Sequence, residues 1–266
     1  MNNKNNYLYI FLLLISPLML KAQDNFCGIK NTSFKVGEKL TFNVYYNMGW
    51  IWAGAGTAVF TTTLEKKSGR DVYHIVGDGR TYKSYEWFYK VRDKYETFID
   101  TNTLLPVKFV RDVSEGGLKF YKSATFNHKD GKALTKDGLI DVPSCVQDVL
   151  STIYYARNID YDKYKPGDKI PFDMYLDETV YHLYIKYMGK ERIKTKYGTF
   201  NSIKIKPLLI DGTMFSGGEK MSVWVSDDKN HIPLRVDSPI IVGSVKVDLM
   251  GFENLRNPFT ALISKR

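Results

Sequence analysis

The sequence predicts an all-β protein: a strongly curved antiparallel meander in two related consecutive lobes, with one short central helix. Apolar and polar residues alternate along many segments, as in EKLTFNVYY at 38–46 and GSVKVDLMGF at 243–252, which is the period of a strand with one solvated face. Short turns rich in Gly, Asp and Asn separate these segments, as antiparallel neighbours require. A single segment has helical spacing instead.

The first 22 residues have the composition of a secretory signal peptide. A polar start with Lys4 precedes an apolar run from Tyr7 to Leu20, and Ala22 stands where cleavage would occur. A membrane anchor is the alternative, but this run is interrupted by Pro17 and is shorter than the ~20 residues that span a bilayer. We therefore expect an exported protein, periplasmic or envelope-associated, with no transmembrane segment after signal removal.

Three landmarks that recur in the same order predict an internal repeat. The resulting division is a signal peptide (1–22), a first β lobe (23–113), a connecting hairpin and helix (114–163) and a second β lobe (164–266), with both lobes in one structural unit. Each match alone is common turn chemistry, so their order and near-constant spacing carry the argument. In each lobe we expect the proline after the last landmark turn to open a strand. The landmarks are Gly37, Lys39 and Phe42 with Gly167, Lys169 and Phe172; Asp78 and Gly79 with Asp211 and Gly212; and Asp100 and Pro106 with Asp227 and Pro233.

The segment VQDVLSTIYYARN has apolar residues at helical spacing and predicts a helix at 146–157. Pro143 and Ser144 precede it as start signals. We expect this helix to bury Val149, Leu150 and Ile153 against the sheet.

The chain contains two cysteines, Cys27 and Cys145, and both follow the predicted signal peptide. In an exported protein they can form a disulfide, which by the chain-entropy model would stabilise the fold by ~4–5 kcal/mol. Two buried thiols are the alternative.

Charge and motifs argue against several classes of function. The formal net charge is +9, but the lysines are scattered among the strands, so we expect a solvated basic surface and no nucleic-acid partner. The four histidines form no metal-binding motif, and the sequence has no nucleotide-binding or nucleophile-elbow motif. We expect no cofactor, no metal site and no catalytic activity.

Carboxylates need separate consideration, because a glycosidase requires only two of them. Glu86, Asp93 and Glu96 are the candidates. Arg92 and Lys94 adjoin them in sequence, so surface ion pairs are the simpler interpretation.

The segment MGWIWAGAGTAVF predicts a central strand that is apolar on both faces. One face would carry Trp50, Trp52, Gly54, Gly56 and Phe60. The two glycines remove side chains beside two large rings, which leaves a step in height that something must fill. A neighbouring strand or the helix could fill it, or it could be a ligand groove.

A second aromatic segment, TYKSYEWFYKVRD, would place Tyr85, Trp87 and Tyr89 on one strand face. Aromatic faces beside charged groups suit sugar rings or acyl chains with anionic heads. They also suit an ordinary core with a basic rim.

Several of these segments together resemble the exported family called domain of unknown function 3108. They are the GEKLTFNVYY start, the glycine-rich GWIWAGAGTAVF strand, VRDKYETFIDTNTLLPVKF, the QDVLSTIYYARN helix, KPGDKI and WVSDDKNHIPLRVDSPIIVGSVKVDL. The resemblance covers nearly the whole mature chain. It implies a β-rich envelope protein of Gram-negative bacteria and supplies no catalytic residue or substrate.

We therefore expect a non-catalytic exported envelope protein that binds an amphipathic lipid or a lipid-linked glycan in an apolar groove. The alternative is a structural or interaction module with a filled core and an envelope-protein partner, and a glycan-acting hydrolase is a distant third. An open groove at the two glycines would favour binding, and a filled one the module. The candidate ligand-binding residues are Trp50, Trp52, Gly54, Gly56, Phe60, Tyr85, Trp87 and Tyr89.

Overall fold

The computed structural model describes residues 27–48, 51–87, 89–210, 217–240 and 243–265, without the side chains of Met48, Ile51 and Trp52. The predicted signal peptide lies outside the described residues.

The described residues of the first half of the chain form eight strands. They are β1 (Lys39–Met48), β2 (Ile51–Lys67), β3 (Arg70–Thr81), β4 (Arg92–Asp100), β5 (Pro106–Glu115), β6 (Leu118–Asn127), β7 (Lys132–Thr135) and β8 (Gly138–Asp141). The helix α1 (Val149–Ala156) follows, and short 3-10 helices lie at Lys83–Tyr85 and Tyr161–Lys163. The second half comprises β9 (Lys169–Leu176), β10 (Thr179–Lys194), β11 (Gly198–Pro207), β12 (Ser222–Ser226), β13 (Pro233–Pro239), β14 (Ser244–Glu253) and β15 (Leu262–Lys265).

All these strands belong to one antiparallel sheet that does not close into a barrel. The order is β8-β7-β6-β5-β4-β3-β2-β1-β14-β13-β12-β11-β10-β9, and β15 pairs with β11. The chain thus starts at the middle of the sheet, meanders to one edge, crosses through α1 to the other edge and meanders back. This confirms the all-β prediction.

The two halves are joined where β1 pairs with β14, so the predicted lobes are parts of one continuous sheet. The segment 114–163, predicted as a connecting hairpin and helix, contains three strands before the helix: β6, β7 and β8 extend the first half of the sheet to its edge. Its residues alternate like those of the lobe before it, so pairing continues until Asp141. The crossover to β9 then contains α1 and the 3-10 helix at Tyr161–Lys163.

The landmarks that the structure describes in both halves fall at equivalent strands. Lys39 begins β1 and Lys169 begins β9, while Pro106 begins β5 and Pro233 begins β13. The strand number therefore shifts by the same amount for both landmarks, and the prolines open strands as predicted. The pair of Asp78 with Asp211 is not comparable, because Asp211 lies outside the described residues.

Helix α1 begins three residues later than predicted, because Asp148 caps it. The Asp148 carboxylate accepts hydrogen bonds from the backbone N–H groups of Leu150 and Ser151 at 2.8 and 2.9 Å, and the Asp148 N–H donates to the Ser151 hydroxyl. This capping box marks a helix start more strongly than the proline upstream does. Leu150 is buried, whereas Val149 and Ile153 are half-buried and pack against the edges of two core clusters.

The sheet curls around this helix, and contacts between distant strands hold the curl. The β9–β10 turn reaches the first half, where Arg111 of β5 binds the Asp177 carboxylate at 2.6 Å and Lys122 of β6 binds Glu178 at 2.9 Å. A disulfide joins Cys27 to Cys145, with 5.4 Å between the two Cα atoms. It fixes the N-terminal segment to the start of the crossover. Among the described residues, no helix has the length and hydrophobicity of a membrane span.

Candidate ligand site: an apolar cavity where the two halves meet

A cavity of about 200 Å³ lies between α1 and one face of the neighbouring strands β2, β1, β14 and β13. It is far larger than the gaps that close packing usually leaves in a core. It is smaller than the ~300–1,000 Å³ of typical small-molecule sites. The lining residues are Leu40, Phe42, Ala58, Phe60, Ile153, Tyr154, Arg157, Pro233, Val236 and Val247.

The sheet wall of the cavity follows from alternation along paired strands. Leu40 pairs with Phe60 and Phe42 with Ala58 across β1 and β2, so these four side chains point to one face. Val247 of β14 pairs with Val236 of β13 and continues this face into the second half. The wall is therefore built from both halves of the chain.

The opposite wall is the last turn of α1. Ile153 and Tyr154 reach the cavity from there. The Tyr154 ring packs edge-on against the Phe34 ring, with 4.9 Å between the two ring centroids. Burial raises the pKa of the Tyr154 hydroxyl well above its ordinary value, so this side chain is neutral at any physiological pH.

The charged residue at the cavity, Arg157, is already paired with a buried carboxylate. Its Nη1 and Nη2 donate to the two carboxylate oxygens of Glu38 at 2.6 and 2.8 Å, and its Nε donates to the backbone oxygen of Asn230 at 3.0 Å. Burial lowers the pKa of the guanidinium, but the Glu38 carboxylate outweighs this and raises it. A ligand would therefore meet the side of a neutralised ion pair and not a free cation.

This arrangement suits an apolar ring or part of an acyl chain. An apolar void of about 150 Å³ is enough to hold benzene, so the larger cavity can hold a somewhat larger apolar group. Its polar side-chain atoms belong to Tyr154 and Arg157, and Arg157 is paired. The head group of an amphipathic ligand would have to remain outside.

Of the strand residues predicted to form the groove, Phe60 lines the cavity, whereas Gly54 and Gly56 do not. The prediction that one face carries all of them is wrong. The pairing of β1 with β2 shifts between Val44, opposite Gly56, and Tyr45, opposite Gly54, which leaves Ala55 as a bulge. A bulge of one residue reverses the alternation beyond it, so Gly54 lies on the other face from Phe60.

Both glycine positions are filled by neighbours. A Cβ at Gly56 would collide with the backbone oxygen of Arg80 on β3, so the close approach of two strands requires glycine there. A Cβ at Gly54 would lie 3.7 Å from the Tyr82 ring and 3.9 Å from the Tyr45 ring, which is ordinary contact.

The remaining predicted aromatic residues are not brought to the cavity. Trp50 and the side chain of Trp52 lie outside the described residues. Tyr85, Trp87 and Tyr89 lie in the connection between β3 and β4, which is a 3-10 turn and loop and not the predicted strand. The large rings there recur at every second residue, as on one face of a strand, but among the described residues this segment belongs to no strand.

The candidate carboxylates have polar partners. Glu86 pairs with Arg92, and Glu96 contacts Lys94 at 2.9 Å and His74 at 2.8 Å. Asp93 accepts a hydrogen bond from the backbone N–H of Ser114 at 3.0 Å. Surface and half-buried ion pairs thus account for Glu86 and Glu96, as the neighbouring basic residues predict.

Leu40, Phe42, Ile153, Val236 and Val247 are cavity residues that sequence reasoning did not assign to a site. Their strands and the helix were predicted, together with the alternation that places each on one face. What the sequence does not show is that β1 pairs with β14, because these two strands are far apart along the chain.

Comparisons with known proteins give a family and two similar solved structures. The family model described as Protein of unknown function (DUF3108) matches residues 41–250. The crystal structure of a beta-barrel-like protein of domain of unknown function DUF1849 from Brucella abortus is similar with a TM-score of 0.54 and 10% sequence identity, over 84% of this chain and 99% of that chain. A candidate exported protein with a YmcC-like fold from Bacteroides fragilis NCTC 9343 aligns at 12% identity over 85% of this chain and 99% of that chain, with a TM-score of 0.34. No curated protein matches the sequence.

Proposed function

This chain belongs to the DUF3108 family of proteins of unknown function, and we propose that it is a non-catalytic exported envelope protein that binds an amphipathic molecule by its apolar part. The ligand class is a lipid or a lipid-linked glycan. The observation that carries the proposal is the apolar cavity of about 200 Å³ between the two halves of the sheet.

Export is supported by the signal-like first 22 residues and by the disulfide between Cys27 and Cys145. Disulfides persist in oxidising compartments such as the periplasm. A periplasmic or other envelope location follows as part of the proposal.

The paired state of Arg157 supports an apolar ligand part over an anionic one. An anion could displace Glu38 only by leaving a buried carboxylate without its partner, which is strongly unfavourable. An alkyl chain or ring loses nothing by facing the neutral pair and gains from leaving water.

A cavity-filling variant tests the proposal. Ala58→Leu adds apolar volume at the cavity wall, and Thr57→Leu places the same side chain at the adjacent position, which points to the other face of β2. We expect the unmodified protein and Thr57→Leu to bind a fluorescent fatty acid, and Ala58→Leu to lose this binding while remaining folded in a thermal melt. Absence of probe binding by the unmodified protein, or equal binding by Ala58→Leu, would contradict the proposal.

Native mass spectrometry after gentle extraction addresses the natural ligand. A co-purifying lipid or lipid-linked glycan, absent from Ala58→Leu, is the expected result.

A structural or interaction module in envelope assembly is the second candidate function. The observation that favours it is the filled state of Gly54 and Gly56, where neighbouring rings and the Arg80 backbone leave no groove. If the unmodified protein binds no fluorescent fatty acid and carries no ligand after extraction, this second function is the one supported.

A further inference from the structure

Two neighbouring connections at one end of the sheet form a surface patch that the cavity does not explain. The β3–β4 connection starts after Arg80, which pairs with Arg92, and the β5–β6 turn starts after Glu115, which pairs with Leu118. In an antiparallel meander both connections leave the sheet at the same end. They also touch, because the Gly116 N–H donates to the Lys90 oxygen at 3.0 Å.

Large apolar side chains are exposed at both connections. Trp87 is 83% exposed, Leu118 58%, Tyr89 43% and Tyr85 37%. Exposing such side chains together is unfavourable in water and marks an interaction surface. We call these four residues the aromatic rim.

Lysines surround the aromatic rim. Lys83 and Lys90 flank the rings in the β3–β4 connection, Lys119 follows Leu118, and all three are exposed. The acidic groups nearby are Glu86, which is paired with Arg92, Asp93, and Glu115, whose carboxyl pKa is raised to about 7 by burial and by its hydrogen bond with Asp93. The three lysines outnumber these unpaired carboxyl groups, so the patch has an apolar centre and an excess of positive charge around it.

We propose that the aromatic rim docks on the surface of an anionic lipid bilayer, with Trp87 and Leu118 entering the interface and the lysines contacting lipid phosphates. Trp and Tyr favour the membrane interface because they have an apolar body and a polar tip. Lysines near a negatively charged leaflet add attraction while their alkyl stems remain in the apolar layer.

A lipid surface fits this composition better than a protein partner does. Protein interfaces are rich in aromatic residues but depleted in lysine, whereas this rim has both. A neutral sugar would use the rings but would leave the three lysines and Leu118 without a role. Anionic lipid uses all of them.

Vesicle co-sedimentation tests the proposal, with phosphatidylglycerol–phosphatidylethanolamine vesicles compared with neutral phosphatidylcholine vesicles. We expect the protein to sediment with the anionic vesicles, more weakly at high salt. Replacing both Trp87→Ala and Leu118→Ser should weaken binding about tenfold or more. Replacing Lys83, Lys90 and Lys119 by Gln should remove most of the preference for anionic vesicles.

Matched controls isolate the surface. Leu64→Ser changes an exposed leucine near the β2–β3 turn, at the other end of the sheet, and should leave vesicle binding unchanged. Ala58→Leu should also leave it unchanged, which separates failure of this proposal from failure of the cavity proposal. All substituted side chains of the rim are exposed, so the melting temperature should be retained.

Three outcomes would overturn the proposal. They are no sedimentation with either kind of vesicle, equal binding by the Trp87→Ala and Leu118→Ser protein, and binding to purified peptidoglycan in place of vesicles that depends on Trp87. The last result would assign the rim to a glycan.

Discussion

Arg157 and Glu38 form a fully buried bidentate ion pair, with side-chain exposures of 2% and 0%, between residues 119 positions apart. Arg157 also donates to the backbone oxygen of Ser33 at 3.3 Å and of Asn230 at 3.0 Å. One guanidinium thus ties the end of α1 to the segment before β1 and to the turn between β12 and β13.

Breaking this pair should destabilise the protein severely. Arg157→Leu leaves the Glu38 carboxylate buried without a counter-charge, so we expect the free energy of unfolding to fall by ~3–5 kcal/mol. Urea unfolding measures this loss. As control, Lys39→Ala breaks the exposed pair of Lys39 with Glu253 and should cost at most about 1 kcal/mol.

Removing both charges should cost less than the sum of the two single removals. A protein with Glu38→Met and Arg157→Met has no unpaired buried charge, so its loss should be smaller than the sum of the single losses. Additive losses would show that the pair contributes nothing through its mutual contact.

Asp148 should make stability depend on pH. Burial raises the pKa of its carboxyl from an ordinary 3.8 to about 7, against the lowering effect of the hydrogen bond from Thr97. The folded state therefore holds this proton more tightly than the unfolded chain. The stabilisation that comes from this tighter proton binding is fully present below about pH 4 and is lost as the pH rises through 7.

Asp148→Asn keeps a helix-capping side chain without the charge. We expect the stability difference between the unmodified protein and this variant to change with pH between 4 and 7, in favour of the unmodified protein at low pH. Urea unfolding at several pH values measures it, and Asp141→Asn, which changes an exposed carboxylate, is the control. Parallel pH profiles for the unmodified protein and Asp148→Asn would contradict the assignment.

Substitution by alanine should destabilise the protein at one glycine of β2 and be nearly neutral at the other. Gly56→Ala places a methyl group against the Arg80 backbone oxygen and should cost about 1–3 kcal/mol through overpacking. Gly54→Ala meets two tyrosine rings at ordinary contact distances and should be neutral within about 1 kcal/mol. Equal melting temperatures for the two variants would contradict the close approach of the Arg80 backbone to Gly56.

Loss of the disulfide should lower stability because it increases the conformational entropy of the unfolded chain. Cys27 and Cys145 are separated by 118 positions, and closing a loop of this length contributes ~4–5 kcal/mol by the chain-entropy model. We expect the Cys27→Ser, Cys145→Ser protein to melt at a lower temperature than the unmodified protein. Reduction with dithiothreitol should lower the melting temperature of the unmodified protein to the same extent and leave the variant unaffected.

Much of the secondary structure was predictable, because strand alternation and turn residues are local signals. The strand at 38–46 and the strand at 243–252 were both predicted, as were the prolines that open β5 and β13. The bulge at Ala55 was not, since an extra residue in a strand of small apolar side chains does not disturb the local pattern.

The candidate site was less predictable, because it depends on contacts between the two halves. Phe60 was identified, yet its partners on β13 and β14 could not be found without the sheet order. A signal for Arg157 was present: it follows Leu150 by seven residues and Ile153 by four, so it continues the buried stripe of the helix. Glu38 is in a Gly-Glu-Lys turn that gives no sign of burial.

The central position of β1 has a consequence for how the protein acquires its structure. Phe42 pairs with Leu249, so one side of β1 has no hydrogen-bonding partner until that late segment has been synthesised. A strand with an open edge recruits other chains, and pairing over so long a sequence separation is slow. During biogenesis the growing chain therefore needs protection from aggregation until β14 has been synthesised. Substitutions in β14 should lower the yield of folded protein more than they change the properties of the protein that has folded.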